Sequence, residues 1–226
     1  MQGYPQFQKG CQLIRISRGD SPKTPNPEDL VTERVTNTRF VASLLLHRHR
    51  HSLEWDDAKD REQLARYNIT HILSIHDNAT PLLQEMTYLC ISAADLPTQN
   101  LTQHFKASIS FIHESRLKGE GCLVHCLAGV SRSVTLVVAY IMTVTKLGWQ
   151  DALAAVRAAR SSANPNLGFQ RQLADFERTE AANYRAWFKE RYKQNAFNDE
   201  EAIQLLLSKD ANSVSTEMTT PDVRDT

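Results

Sequence analysis

The apolar positions of this chain change period along its length. Through residues 1–39 they are sparse among Gln, Pro, Ser, Thr and charged side chains. Ser21, Pro22, Lys23, Thr24, Pro25, Asn26 and Pro27 read as a proline-rich linker within a largely disordered extension over residues 1–52. Residues 40–46 are apolar and suit a strand or a short helix. From Trp55 onward the pattern is regular. Residues 57–67 have helical spacing with Leu64 turned inward, 69–75 read as a buried strand, 88–92 as a second strand and 101–117 as an amphipathic helix. Residues 122–125 form a third apolar block, expected to be the central strand. Helical periods then follow one another over 133–145, 149–160, 168 to about 193, and 199–207, and the polar run past Ser208 reads as a disordered tail.

Strands that alternate with helices and then give way to helices predict an α/β fold, with a mainly parallel central sheet flanked by helices and a helical C-terminal half. The expected organisation is a globular domain over residues 53–195, followed over 196–226 by a short helix and the tail. The run 134–144, interrupted by Thr135 and Thr143, is too short to span a bilayer, which takes about 20 residues. No charged segment leads into an early apolar stretch, so a secretory signal is not expected.

Composition narrows the partners more than the chemistry. With 26 basic and 26 acidic residues the 226-residue chain is formally neutral, so the overall charge gives no reason to expect nucleic acid or an anionic membrane. The four cysteines, Cys11, Cys90, Cys122 and Cys126, have neither zinc-ligand nor disulfide-framework spacing, which suits a reducing, cytoplasmic compartment. His47, His49 and His51 would share one face of a strand; a solvated basic patch fits them better than a metal site.

The chemistry concentrates in His125, Cys126, Leu127, Ala128, Gly129, Val130, Ser131, Arg132 and Ser133, between the third apolar block and the run 134–144. A loop that opens a helix presents unpaired amides at the positive end of the helix dipole, which is a cradle for an anion. A thiol in such a cradle beside a guanidinium is held as thiolate, with a pKa brought to roughly 3.5 to 7.5. Five residues between Cys126 and Arg132 let the chain curl once around a tetrahedral dianion. Cys126 then lies below the phosphorus and Arg132 grips two oxygens. Gly129 supplies a position free of the Cβ penalty at positive φ. Leu127, Ala128, Gly129, Val130 and Ser131 are thus expected to bind substrate, and the hydroxyls of Ser131 and Ser133 to reach loop carbonyls or the sulfur.

The run HCLAGVSRS resembles the signature of the cysteine-dependent protein phosphatases, and the stretch from about residue 55 to 207 is similar to their atypical dual-specificity branch. The N-terminal quarter lacks the Leu-Tyr-x-Gly turn and the two short strands usual there. The resemblance implies a dual-specificity phosphatase-like fold and hydrolysis of phosphotyrosine and phosphoserine or phosphothreonine through a phosphocysteine. It implies phosphoprotein substrates among signalling kinases of the JNK/MAP-kinase type, in the cytoplasm and also the nucleus. No cofactor or metal is implied, so activity is expected to survive chelators. Relatives that begin Met-Gly are read as myristoylated; here Gln2 follows Met1, so no lipid anchor is expected.

The reaction needs a proton donor for the leaving oxygen, and Asp95 stands where the family carries its general acid; Asp77 is the alternative carboxylate. Ser133 is expected to steady the sulfur as it leaves, and His125 to shape the loop. Asn166 either braces the phosphate loop or caps the helix after it. Cys90 and Cys122 are buried thiols or redox partners of Cys126. Small or apolar residues inside the loop, where inositide phosphatases carry lysines, disfavour a multiply phosphorylated headgroup. A shallow pocket would admit phosphotyrosine and phosphoserine or phosphothreonine alike, and without the rhodanese-like domain of the MAP-kinase phosphatases the enzyme is expected to stand alone. A phosphoprotein-binding module without strong catalysis and an RNA 5′-triphosphatase are the alternatives; the lack of a basic or aromatic stripe weighs against the latter.

Overall fold

The computed structural model describes residues 58, 60–193 and 197–217. The apolar stretch 40–46, the histidine run, the proline-rich linker and Cys11 lie outside them. The first element, α1 (Arg61–Arg66), starts four residues later than its apolar spacing suggests because Asp60 caps it, its carboxylate accepting from the Gln63 amide at 3.1 Å. Leu64 is buried as expected.

Three parallel strands follow in the spatial order β2-β1-β3: β1 (Ile69–Ile75), β2 (Thr87–Ile91) and β3 (Gly121–His125). β1, not β3, is the middle strand among the described residues, which corrects the expectation from sequence. Its near-continuous burial, only Thr70 being half-buried, suits a strand paired on both sides and covered on both faces. Side chains alternate between those faces. Leu73, Ile75, Cys122 and Val124 join the large core under the helices, whereas Ile72 and Leu123 join a smaller one with Ala58, Leu64, Ile69 and Leu83.

α2 (Thr102–Leu117) carries the chain from β2 to β3. α3 (Arg132–Val144) follows the cysteine loop and is buried at every position from Arg132 to Thr143, as a helix apolar on all sides should be, with Thr135 and Thr143 turning their hydroxyls onto the Ser131 and Ala139 carbonyls. α4 (Trp149–Ala159), α5 (Leu167–Thr179), α6 (Ala181–Tyr192) and α7 (Asp199–Glu217) complete the helical half. The single helix expected over 168–193 is two, broken where Glu180 leaves helical geometry at φ −128°. Neither Gly nor Pro marks the break; the buried Ala181 begins the new helix, and both halves pack on α3. The last helix also runs ten residues past the expected Leu207, to Glu217.

The α/β architecture expected from the pattern is therefore present. Its consequence is positional: the carboxyl ends of all three strands open on one side, and the segments leaving them carry Asp77, Asp95 and Cys126.

Candidate active site

The parallel register sets the entrance to the cysteine loop. Ser74 lies opposite His125, and the serine hydroxyl meets His125 Nε2 at 2.5 Å. The other ring nitrogen, Nδ1, lies 3.1 Å from the Cys126 carbonyl oxygen. A carbonyl only accepts, so Nδ1 carries the hydrogen and Nε2 accepts from Ser74. The ring thus fixes the peptide at which the strand becomes the loop, and burial holds its pKa below the ordinary value.

Beyond Cys126 the loop turns its carbonyls outward. Arg160 donates from Nε to the Gly129 oxygen at 3.0 Å and from Nη2 to the Ala128 oxygen at 3.4 Å. The Asn164 amide donates to the Val130 oxygen at 2.9 Å. In a trans peptide the N–H points opposite to the C=O, so the amides of residues 129–131 face inward. Gly129 lies at φ 61°, the left-handed conformation expected of it. Arg160 and Asn164 were not foreseen; about thirty residues separate them from the loop, and no spacing rule connects a helix C-cap to it.

Cys126 sits at the bottom, 1% exposed. Burial pushes its thiol up, but the hydroxyl and amide of Ser133, the guanidinium of Arg132 and the amide of Gly129 outweigh that and bring it below its ordinary value. The Ser133 hydroxyl is 3.3 Å from the sulfur. The other described cysteines differ sharply: burial pushes Cys122 up to about 12 and raises Cys90, and all three are free thiols.

Arg132, at the start of α3, is buried and held from two sides. Its Nη1 donates to the Ala93 carbonyl at 3.0 Å and to Asp77 at 3.2 Å. Its Nε–H is buried without a hydrogen-bond partner, 3.7 Å from the second oxygen of Asp95. Asp77, weighed as an alternative acid, is thus engaged with the guanidinium.

Asp95 Oδ1 accepts two hydrogen bonds, from the Ser131 hydroxyl at 2.7 Å and from Asn166 Nδ2 at 2.8 Å. The Ser131 hydroxyl therefore reaches neither a loop carbonyl nor the sulfur; it also accepts from the Asn166 amide at 3.1 Å. Asn166 combines its two proposed roles in altered form. Its Oδ1 caps α5 by accepting from the Phe169 amide at 3.0 Å, while its other end holds a carboxylate. Leu127 and Ala128 are exposed at the mouth, Val130 is half-buried and Gly129 is buried. Among the described residues no cluster of three or more His, Cys, Asp or Glu side chains suits a metal ion, and no helix is long and apolar enough to cross a membrane.

Residues 53–179 match the family model described as dual specificity phosphatase, catalytic domain. Over 153 residues the chain is 74% identical to dual specificity protein phosphatase 22-B of Danio rerio, covering 68% of this chain and 84% of that one. To dual specificity protein phosphatase 22 of Homo sapiens it is 63% identical over 152 residues, 67% and 83% of the two chains. The crystal structure of DUSP15 superposes with a TM-score of 0.58 at 49% identity, over 65% of this chain and 90% of that one.

Proposed function

The chain belongs to the dual specificity phosphatase family and is a protein phosphatase, and on that premise we propose how its residues divide the work. Cys126 is the nucleophile. Its thiolate attacks phosphorus in line, an S–P bond forms, and the P–O bond to the tyrosine, serine or threonine oxygen breaks with its electron pair on the leaving oxygen. Arg132 and the inward amides of the loop hold the equatorial oxygens. The orphaned Nε–H of Arg132 supports this: a buried unpaired donor costs about 1–3 kcal/mol, which an incoming phosphoryl oxygen relieves.

Asp95 is the general acid. Both donors on its carboxylate bind Oδ1, so the proton to be delivered sits on Oδ2, the oxygen that faces Arg132 and the pocket. In the second step the ionised Asp95 takes a proton from water, the water oxygen attacks phosphorus, and the S–P bond breaks. The returning thiolate is received by the Ser133 hydroxyl. The observation that carries the scheme is the buried, acidified sulfur at the floor of a loop whose carbonyls are tied outward.

The substrates are phosphoproteins. We assign them to signalling kinases of the JNK/MAP-kinase type, as the resemblance of the cysteine loop and its flanks implies, and place the enzyme in the cytoplasm and nucleus, where its free thiols suit the reducing conditions. Hydrolysis of phosphotyrosine and phosphothreonine peptides by wild type, Cys126→Ser and Asp95→Asn tests the scheme. Cys126→Ser is expected to lose essentially all turnover, and Asp95→Asn roughly 10² to 10⁴ of it together with the alkaline limb of the pH profile. Turnover that survives Cys126→Ser overturns the nucleophile.

A further inference from the structure

We propose that α5 is a clamp for the loop that carries the general acid, and that Gln172 and Gly168 are positioning residues for Asp95. The inference rests on the acid role of Asp95 given above. Three contacts along one helix meet the loop between β2 and α2 at its beginning, middle and end. At the beginning, Asn166 donates to Asp95 Oδ1 at 2.8 Å. In the middle, Gly168 packs against the backbone of Pro97 so closely that a Cβ there would lie 2.0 Å from the Pro97 carbonyl oxygen and 2.4 Å from its Cα. At the end, the Gln172 side chain spans both sides of the junction, donating from Nε2 to the Gln99 carbonyl at 2.7 Å and accepting from the Leu101 amide at 2.8 Å.

The last contact reaches the acid through the loop itself. The Gln99 amide bonds the Leu96 carbonyl at 3.0 Å, closing the turn, and Gln99 Oε1 accepts from the Ala94 amide at 3.3 Å. Gln172 therefore fixes the residue whose side chain holds the amide of Ala94, the neighbour of Asp95. Leu101 begins α2 with no side-chain cap, so Gln172 also satisfies a helix-end amide that would otherwise be orphaned. A helix with a buried face against α3 is a better reference for an acid than the ten-residue loop over 92–101 could provide for itself. Because no group in this clamp except Asn166 touches Asp95, its loss should move the carboxylate without removing it.

Displacing an acid matters in proportion to how much the leaving oxygen needs a proton. Gln172→Ala and Gly168→Ala are therefore expected to lower kcat roughly tenfold with phenyl phosphate and less than about twofold with a difluoromethylumbelliferyl phosphate, whose leaving group departs readily. Gln172→Glu, which keeps the acceptor for Leu101 and loses the donor to Gln99, should fall between. The pH dependence of Cys126 alkylation should stay where it is in wild type. In an Asp95→Asn background, Gln172→Ala should cost nothing further with phenyl phosphate.

Equal losses with the two esters in Gln172→Ala and Gly168→Ala, beside a leaving-group effect in Asp95→Asn, overturn the clamp and leave the acid assignment standing. Additive losses in the Asp95→Asn background do the same. Equal losses in Asp95→Asn itself overturn the acid assignment and the clamp with it. If Gln172→Ala does not fold, Gly168→Ala carries the test, since it presses on the same loop from another position.

Discussion

Ser133 and Ser131 are two residues apart, yet the fold gives their hydroxyls different tasks. Ser133 lies in the first turn of α3 with its hydroxyl on the sulfur, and it contributes twice to the acidity of Cys126, through that hydroxyl and through its amide. Ser133→Ala removes the first and keeps the second. The pH profile of alkylation at Cys126 should then move to higher pH, because a hydrogen bond to the charged form is lost. Turnover should fall roughly 10²-fold with little change in KM, since the donor is needed when the thiolate forms again as the leaving group. A kcat within twofold of wild type and an unmoved alkylation profile would remove Ser133 from the chemistry. Ser131 faces away toward Asp95, so Ser131→Ala should leave alkylation unaltered.

At the scale of elements, the boundaries of β1, α2 and α4 were legible because one apolar period begins and ends there. So was the cysteine loop, whose residue types each answer to a local need: Gly129 for a left-handed turn, Cys126 at a strand end, Arg132 at a helix start. The arrangement around the loop was not legible. Arg160 and Asn164 hold carbonyls from the C-cap of α4 and the turn after it, and Asp77 reaches Arg132 from the loop after β1, all through tertiary placement that leaves no periodic trace. The break at Glu180 has no breaker residue, and α7 continues through a polar sequence that looks like tail. The start of α7 has a buried anchor. Asp199 is 2% exposed and pairs with Arg116 of α2 at 2.7 and 3.0 Å, while Arg116 also donates to Tyr140 at 2.7 Å and lies 3.9 Å over the Phe197 ring. Asp199→Ala would take from the buried Arg116 guanidinium a carboxylate that it donates to twice, and urea unfolding should show a loss of about 3–5 kcal/mol. A loss under 1 kcal/mol would mean that the C-terminal helix is not fastened to the domain by this pair.

For the molecule as a whole, the described histidines share one property that makes stability depend on pH. His71, His76, His104, His113 and His125 all have their pKa lowered, in every case chiefly by burial. His113 goes furthest, to about 4. It is enclosed by Phe188, Tyr192 and Phe197, with the Arg116 charge opposing protonation more than either Asp199 or Glu114 favours it. Above pH 6.5 these rings are neutral in both folded and unfolded chains, and they contribute no pH dependence. As pH falls below 6.5 the unfolded chain takes up protons that the folded one refuses, so stability drops, and the contribution of His113 is lost progressively down to about pH 4. Between pH 7.5 and 5.0 this single residue should cost on the order of 2 kcal/mol, with the others adding to it. Urea midpoints across that range should therefore fall monotonically. Replacing His113 by Phe should flatten the fall: its Nε2 is buried without a partner, so a carbon there sacrifices no hydrogen bond, and the Tyr140 hydroxyl, 3.1 Å from Nδ1, keeps Arg116. A wild-type midpoint that does not move between pH 7.5 and 5.0 would show that the folded protein accepts these protons, and that the aromatic enclosure of His113 opens to water.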